Sequence, residues 1–83
     1  MALRIEWSDE ARADVRRLDK PTALRIFSTL LRFARTGEGN IKQLTGELAG
    51  RLRLRSGDYR LIVAPSGDTL RILSVRHRKE AYR

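Results

Sequence analysis

Two short turns govern what the second half of this chain can become. Ser56-Gly57-Asp58 and Pro65-Ser66-Gly67-Asp68 separate three strand-like runs, Arg51 to Ser56, Tyr59 to Ala64 and Thr69 to Arg76. Joints this short connect antiparallel neighbours, because a parallel crossover needs roughly a dozen residues or more. The spacing therefore predicts a three-stranded antiparallel meander. Its last strand, "TLRILSV", is apolar at Leu70 and Ile72 and again at Leu73 and Val75, so both of its faces are expected to be partly buried. Such a strand belongs inside the sheet, with the first strand of the chain as its other neighbour.

That first strand is "ALRIEW", which alternates Leu3 and Ile5 against Arg4 and Glu6. Ser8 then offers a helix cap, and Asp9 and Glu10 fall in the first turn, where the helix dipole favours negative charge. Ala11, Val15 and Leu18 recur at helical spacing while Arg12, Arg16 and Arg17 turn outward. Pro21 suits the first turn of a second helix. Along it Leu24, Phe27, Leu31 and Ala34 form the expected core stripe, with Ala23, Ile26 and Leu30 flanking it. Gly37 is placed to stop that helix in a left-handed cap. Residues 41–50, "IKQLTGELAG", show no sustained period and read as a connecting loop anchored by Ile41 and Leu44. The expected fold is one α+β domain over residues 1–83, an antiparallel sheet packed on an N-terminal two-helix hairpin in the order β-α-α-β-β-β.

Charge and cysteine content narrow the function. The chain has 83 residues, no cysteine and one histidine, which argues against a disulfide framework and a zinc centre. No stretch approaches the roughly 20 apolar residues of a membrane span, and the start lacks the unbroken apolar run of a signal peptide. A cytoplasmic protein without a membrane partner is expected. Of the net charge of +8, six units fall within residues 51–83, where nine Lys and Arg face three Asp and Glu. This basic pole attracts polyanions: nucleic acid, an anionic surface or an acidic protein.

Within it, Arg51, Arg53 and Arg55 alternate with leucines, so an extended chain places them on one face about 7 Å apart. A solvated strand face accounts for that much, since two charges at this distance in water repel by only about 0.6 kcal/mol, and edge charges discourage aggregation. The company they keep points further. Arg60 lies across the turn, and Arg76, Arg78 and Lys79 end the third strand, so three successive strands contribute cations to one surface. Guanidinium groups grip phosphate bidentately and stack on bases. Tyr59 alternates with Leu61 and Val63 as a core residue does, whereas Tyr82 lies in a charged tail and suits stacking. His77, between two arginines, is either a surface residue or a proton carrier beside a phosphate.

No P-loop is present, because "TGEGN" lacks its lysine and spacing, and the acids at Asp58, Asp68 and Glu80 do not form a two-metal cluster. Chemistry that needs no metal or other cofactor remains. RNA permits it, since its 2′-hydroxyl can attack the adjacent phosphate when a base, an acid and cations for the developing charge are supplied.

The run "IKQLTGELAGRLRLRSGDYRLIVAPSGDTLRILSVRHRKEAYR" resembles the second half of a RelE/ParE-superfamily toxin of type II toxin-antitoxin systems. The pattern is K-x-L-x-G, a basic strand, R-x-G-x-Y-R, an apolar strand, then H/K-R and a terminal tyrosine; it spans Lys42 to Tyr82. The RelE branch cuts mRNA in the ribosomal A site without a metal and is silenced by an acidic antitoxin, whereas the ParE branch poisons DNA gyrase. The resemblance implies a RelE-like fold, with ribosome, mRNA and a RelB-like acidic antitoxin as partners in a toxin-antitoxin hetero-oligomer. It puts Arg51 and Arg53 where RelE carries lysines, Arg60 and Arg78 at its functional arginines, Tyr82 near its base-stacking tyrosine and His77 where some relatives have a catalytic histidine. Arg55, Arg76 and Lys79 join Arg51 and Arg53 as expected phosphate contacts. Arginine in place of lysine departs from the RelE pattern, because a guanidinium holds its proton too firmly to act as a base. The RelE-like expectation is a metal-independent endoribonuclease acting by 2′-hydroxyl attack; the alternative is a ParE-like gyrase inhibitor without nuclease activity.

Overall fold

In the computed structural model, which describes residues 3–81, every expected element forms and one unexpected strand joins them. The order is β1 (Arg4–Trp7), α1 (Asp9–Arg16), α2 (Lys20–Thr36), β2 (Asn40–Gln43), a 3-10 turn at Gly46–Leu48, β3 (Leu52–Ser56), β4 (Tyr59–Ser66), β5 (Thr69–His77) and the short α3 (Arg78–Ala81). The strands make one sheet in the order β1-β5-β4-β3-β2. The meander β3-β4-β5 is antiparallel as expected, while β1 joins β5 in parallel. The sheet is therefore mixed rather than wholly antiparallel. The helical hairpin returns the chain so that β2 runs against β1, and the three antiparallel reversals from β2 to β5 then bring β5 parallel to β1.

The helix ends are built from the residues that the sequence offers. Ser8 caps α1, its Oγ accepting from the Ala11 amide at 3.1 Å and donating to the Leu73 carbonyl at 3.0 Å. Asp19 caps α2 by accepting from the Thr22 amide and hydroxyl, and Gly37 closes it at φ 76°. Two hydrogen bonds on Ser8 thus fix the α1 entry and the middle of β5 to each other.

The helices cover one sheet face. Ile26, Leu30, Phe33 and Ala34 of α2 meet Leu54, Leu61, Val63, Leu70, Ile72 and Val75 in a single cluster with Ala11. This corrects the expected stripe. Leu24 and Leu31 are 52% and 54% exposed, and Phe27 leans on Trp7 edge to face at 5.6 Å. Two apolar stripes run side by side along α2, and its period does not say which of them turns to the sheet.

The segment expected as a loop is corrected as well. Residues 40–43 extend the sheet as an edge strand, pairing Ile41 with Leu54 and Lys42 with Arg53. Four residues are too few to display a period, and their pairing depends on the free edge of β3. Ile41, expected to anchor in the core, is 42% exposed, because α2 does not reach this far across the sheet. Leu44 is half-buried and joins Arg51 through its amide.

A β-bulge explains the double apolar phase of β5. Val63 faces Ile72 and Ile62 faces Ser74, so Leu73 is left without a partner. The extra residue shifts the alternation by one, and Leu70, Ile72 and Val75 all reach the same core. Both halves of the strand bury apolar residues on one face rather than on two.

Candidate nucleic-acid interface

The bulge also decides where the arginines go. Beyond it, Arg76 pairs with Arg60, which pairs with Arg55, giving a row of guanidiniums in register over β5, β4 and β3. The next row holds Lys42 and Arg53, followed by Ile62 and Ser74. Because Leu54, Leu61 and Val75 occupy the helix side of these strands, both rows belong to the opposite, uncovered face.

Arg60 sits at the centre of its row. Its Nε and Nη1 are buried and have no hydrogen-bond partner among the described residues. A buried donor without an acceptor is costly, the more so when it carries charge, and here cations stand on either side of it. Arg76 is restrained from behind: Nη2 meets Glu10 at 2.8 Å and Nε meets Asp14 at 3.4 Å. The hydrogen bond to Glu10, followed by the charge of Asp14, raises the Arg76 pKa above its ordinary value. Arg55 turns its Nε to the Gly57 carbonyl at 3.2 Å, and Arg53 is engaged within the protein.

Asp14 is the buried organiser. It is 3% exposed, accepts from the Val75 amide at 2.9 Å and pairs with Arg17 at 2.6 Å. Beyond the end of β1, the edge of β5 is open, and this carboxylate from α1 occupies an amide there. Sequence reasoning missed Asp14, Glu10 and Lys42. Asp14 left a signal, since it shares a helix stripe with Ala11 and Leu18, where an acid requires an explanation.

The other expected residues are dispersed. Arg78 begins α3, where its amide donates to the Asp58 carbonyl at 2.7 Å and its Nε lies 3.9 Å from the Asp58 carboxylate. Arg76, not Arg78, is thus the partner of Arg60 across the sheet. His77 packs edge to face on Tyr59 at 5.3 Å and shares a cavity with Asp14, Arg17 and Leu18. By strand alternation it points to the helix side, away from the arginine row, and its Nδ1 accepts from the Lys79 amide. This removes the expected proximity of His77 to a phosphate held by Arg60. Tyr59 packs against the core as expected. Arg51 is exposed just before β3, Lys79 is exposed on α3, and the Tyr82 assignment lies outside the described residues.

The family model described as "ParE toxin of type II toxin-antitoxin system, parDE" matches residues 5–82. The chain belongs to the ParE toxin family. It is a toxin of a type II toxin-antitoxin system, with the α+β fold of RelE-like toxins. The toxin is similar to a chain of the RelBE2 toxin-antitoxin complex of Mycobacterium tuberculosis, at 27% identity and TM-score 0.84 over 94% of this chain and all (100%) of that one. It shares its fold with a chain of the RelE-RelB complex of Pyrococcus horikoshii OT3, at 21% identity and TM-score 0.78 over 94% and 97% of the two chains. The YoeB-YefM complex of Staphylococcus aureus matches at 22% identity and TM-score 0.77, over 93% and 98%. No curated protein sequence matches the toxin. Among its described residues no helix is long and apolar enough to cross a membrane.

Proposed function

We propose that this toxin is a ribosome-dependent endoribonuclease that cuts mRNA in the A site. The observation that carries the reading is Arg60, whose buried, unpartnered Nε and Nη1 lie between Arg55 and Arg76. A phosphate seated there supplies the acceptors that the folded chain withholds, and the equatorial oxygens of a phosphorane carry still more charge. The site is complementary to the transition state rather than to the resting chain.

In the proposed reaction the RNA 2′-oxygen attacks the adjacent phosphorus and the bond to the 5′-oxygen breaks. The products are a 2′,3′-cyclic phosphate, which can open to a 3′-phosphate, and a 5′-hydroxyl. Arg60 and Arg76 stabilise the phosphorane, while Arg53 and Arg55 hold the backbone. The 2′-hydroxyl proton needs an acceptor that a guanidinium cannot be. Lys42, across from Arg53 on the same face, takes that role after its ammonium has given up a proton to solvent, with the ribosome returning a proton to the leaving oxygen. A cognate acidic, RelB-like antitoxin is the proposed partner that silences the toxin by covering this face. The solved toxin-antitoxin complexes with the same fold support it.

The ParE family match and the removal of His77 from the arginine row favour one second reading, a gyrase poison acting by occupancy. Toeprinting of a defined mRNA on ribosomes with an empty A site separates the two. New cuts in the A-site codon, absent with Arg60→Ala, are expected. Intact mRNA in growth-arrested cells that accumulate cleaved DNA-gyrase complexes transfers the assignment to gyrase.

A further inference from the structure

A second basic site lies around the corner from the arginine row. Arg25, Ser28, Thr29 and Arg32 fall on one side of α2, with the two arginines about 10 Å apart along the axis. They face the end of β3 across a cleft of about 370 Å³, within the range of small-ligand sites. Arg55, Ser56 and Gly57 form its other wall, and Glu38 stands at its rim. The Thr29 and Ser56 hydroxyls meet at 2.9 Å, which ties the two walls together. Gly57 brings the turn close to Arg25: a Cβ on it would lie 3.5 Å from the Arg25 Nη1.

The charge balance of this cleft is uneven, with three guanidiniums and one carboxylate. Among the described residues no ion pair engages Arg25 or Arg32. Thr29 donates its hydroxyl hydrogen to the Arg25 carbonyl at 3.0 Å and Ser56 donates to Thr29, so the guanidiniums and the Ser28 hydroxyl are the donors left for phosphate oxygens. Arg55 belongs both to this cleft and to the Arg55-Arg60-Arg76 row, so the two basic surfaces are continuous around the Gly57 turn.

We propose that this cleft is a second phosphate-binding site, which takes the backbone of an RNA strand running on from the sheet face. The proposal rests on the reading that the toxin engages RNA, but not on cleavage. Its test therefore uses binding of a fluorescent 2′-O-methyl oligoribonucleotide, which has no attacking hydroxyl.

The 83-residue toxin is titrated at several salt concentrations beside three variants, each first checked for an unchanged melting temperature. Arg25→Gln/Arg32→Gln is expected to weaken binding about tenfold and to flatten the salt dependence by roughly 0.7 in log-log slope for each phosphate no longer neutralised. Arg12→Gln/Arg16→Gln removes equal charge from α1 and is expected to change affinity less than about twofold. Glu38→Gln, which removes the opposing charge, is expected to tighten binding. Equal weakening by the two double variants, or no gain with Glu38→Gln, overturns the site. Pyrophosphate that saturates the Gly57 and Thr29 amide shifts without competing with the oligonucleotide assigns the cleft to a free phosphate ligand and overturns the RNA assignment. Loss of cleavage-dependent toxicity alone bears only on the function proposed above.

Discussion

Asp14 and Arg76 meet at the open edge of β5, Oδ2 to Nε at 3.4 Å, and the same carboxylate oxygen accepts the Val75 amide. One buried acid thus closes the sheet edge and aims a cation of the basic face. Asp14→Ala is expected to lower stability by about 1–3 kcal/mol, the cost of leaving a buried amide unsatisfied, and to weaken toxicity by releasing Arg76. Urea unfolding and a growth assay check the two effects. Unchanged stability would show that α1 does not hold this edge.

Arg60 presents the reverse balance. Its buried donors lack partners among the described residues, so Arg60→Met is expected to raise stability by about 1 kcal/mol while abolishing growth arrest. Thermal melts beside induction of the variant in cells give both readouts. A fall in stability would mean that Arg60 supports the sheet rather than awaiting an anion.

Lys42 distinguishes charge from proton transfer. Lys42→Arg keeps a cation across from Arg53 and is expected to preserve mRNA binding, yet to slow cleavage at least about a hundredfold, the low end for losing a general base. Single-turnover cleavage on programmed ribosomes measures it. Full activity in Lys42→Arg would assign the proton acceptor to the ribosome.

The Asp19 cap titrates. Its hydrogen bonds with Thr22 lower the carboxyl pKa below the ordinary 3.8. Stability from the charged cap is therefore present above that value and is lost as pH falls through the lowered one. Asp19→Asn keeps a capping oxygen without the titration. Wild type is expected to melt higher than Asp19→Asn at pH above about 5, with the gap closing in stronger acid. Melting curves across acid pH test this, and a gap that persists in strong acid would exclude the cap as its source.

Much of the architecture was legible because local chemistry dictates it. The Ser8 cap, Pro21 in the first turn of α2, the Gly37 stop and the two glycine turns define their elements within a few residues, and the meander follows from the turns. Elements that depend on a distant partner were not legible. Residues 40–43 become a strand because β3 offers an edge, and α2 presents two equivalent apolar stripes until the sheet selects one. The basic face could be read as a set of alternating arginines on β3. Its membership could not, because assigning Arg76 rather than Arg78 to it, and placing His77 on the far side, depends on a bulge that β5 alone does not announce.

The unpaired Leu73 acts as a change of parity in the strand. Were it to take a regular place in the pleat, the odd-even rule that sends Leu70 and Ile72 inward would send Arg76 inward as well, and Val75 would face water. Ser8 holds the Leu73 carbonyl, so the start of α1 keeps count for a surface on the opposite side of the sheet. By this count deleting Leu73 itself would leave every other side chain of β5 on the face it now occupies. Drawing Leu73 into step with no residue lost would disarm the toxin while sparing every arginine, so its fold has a reading frame as its message does.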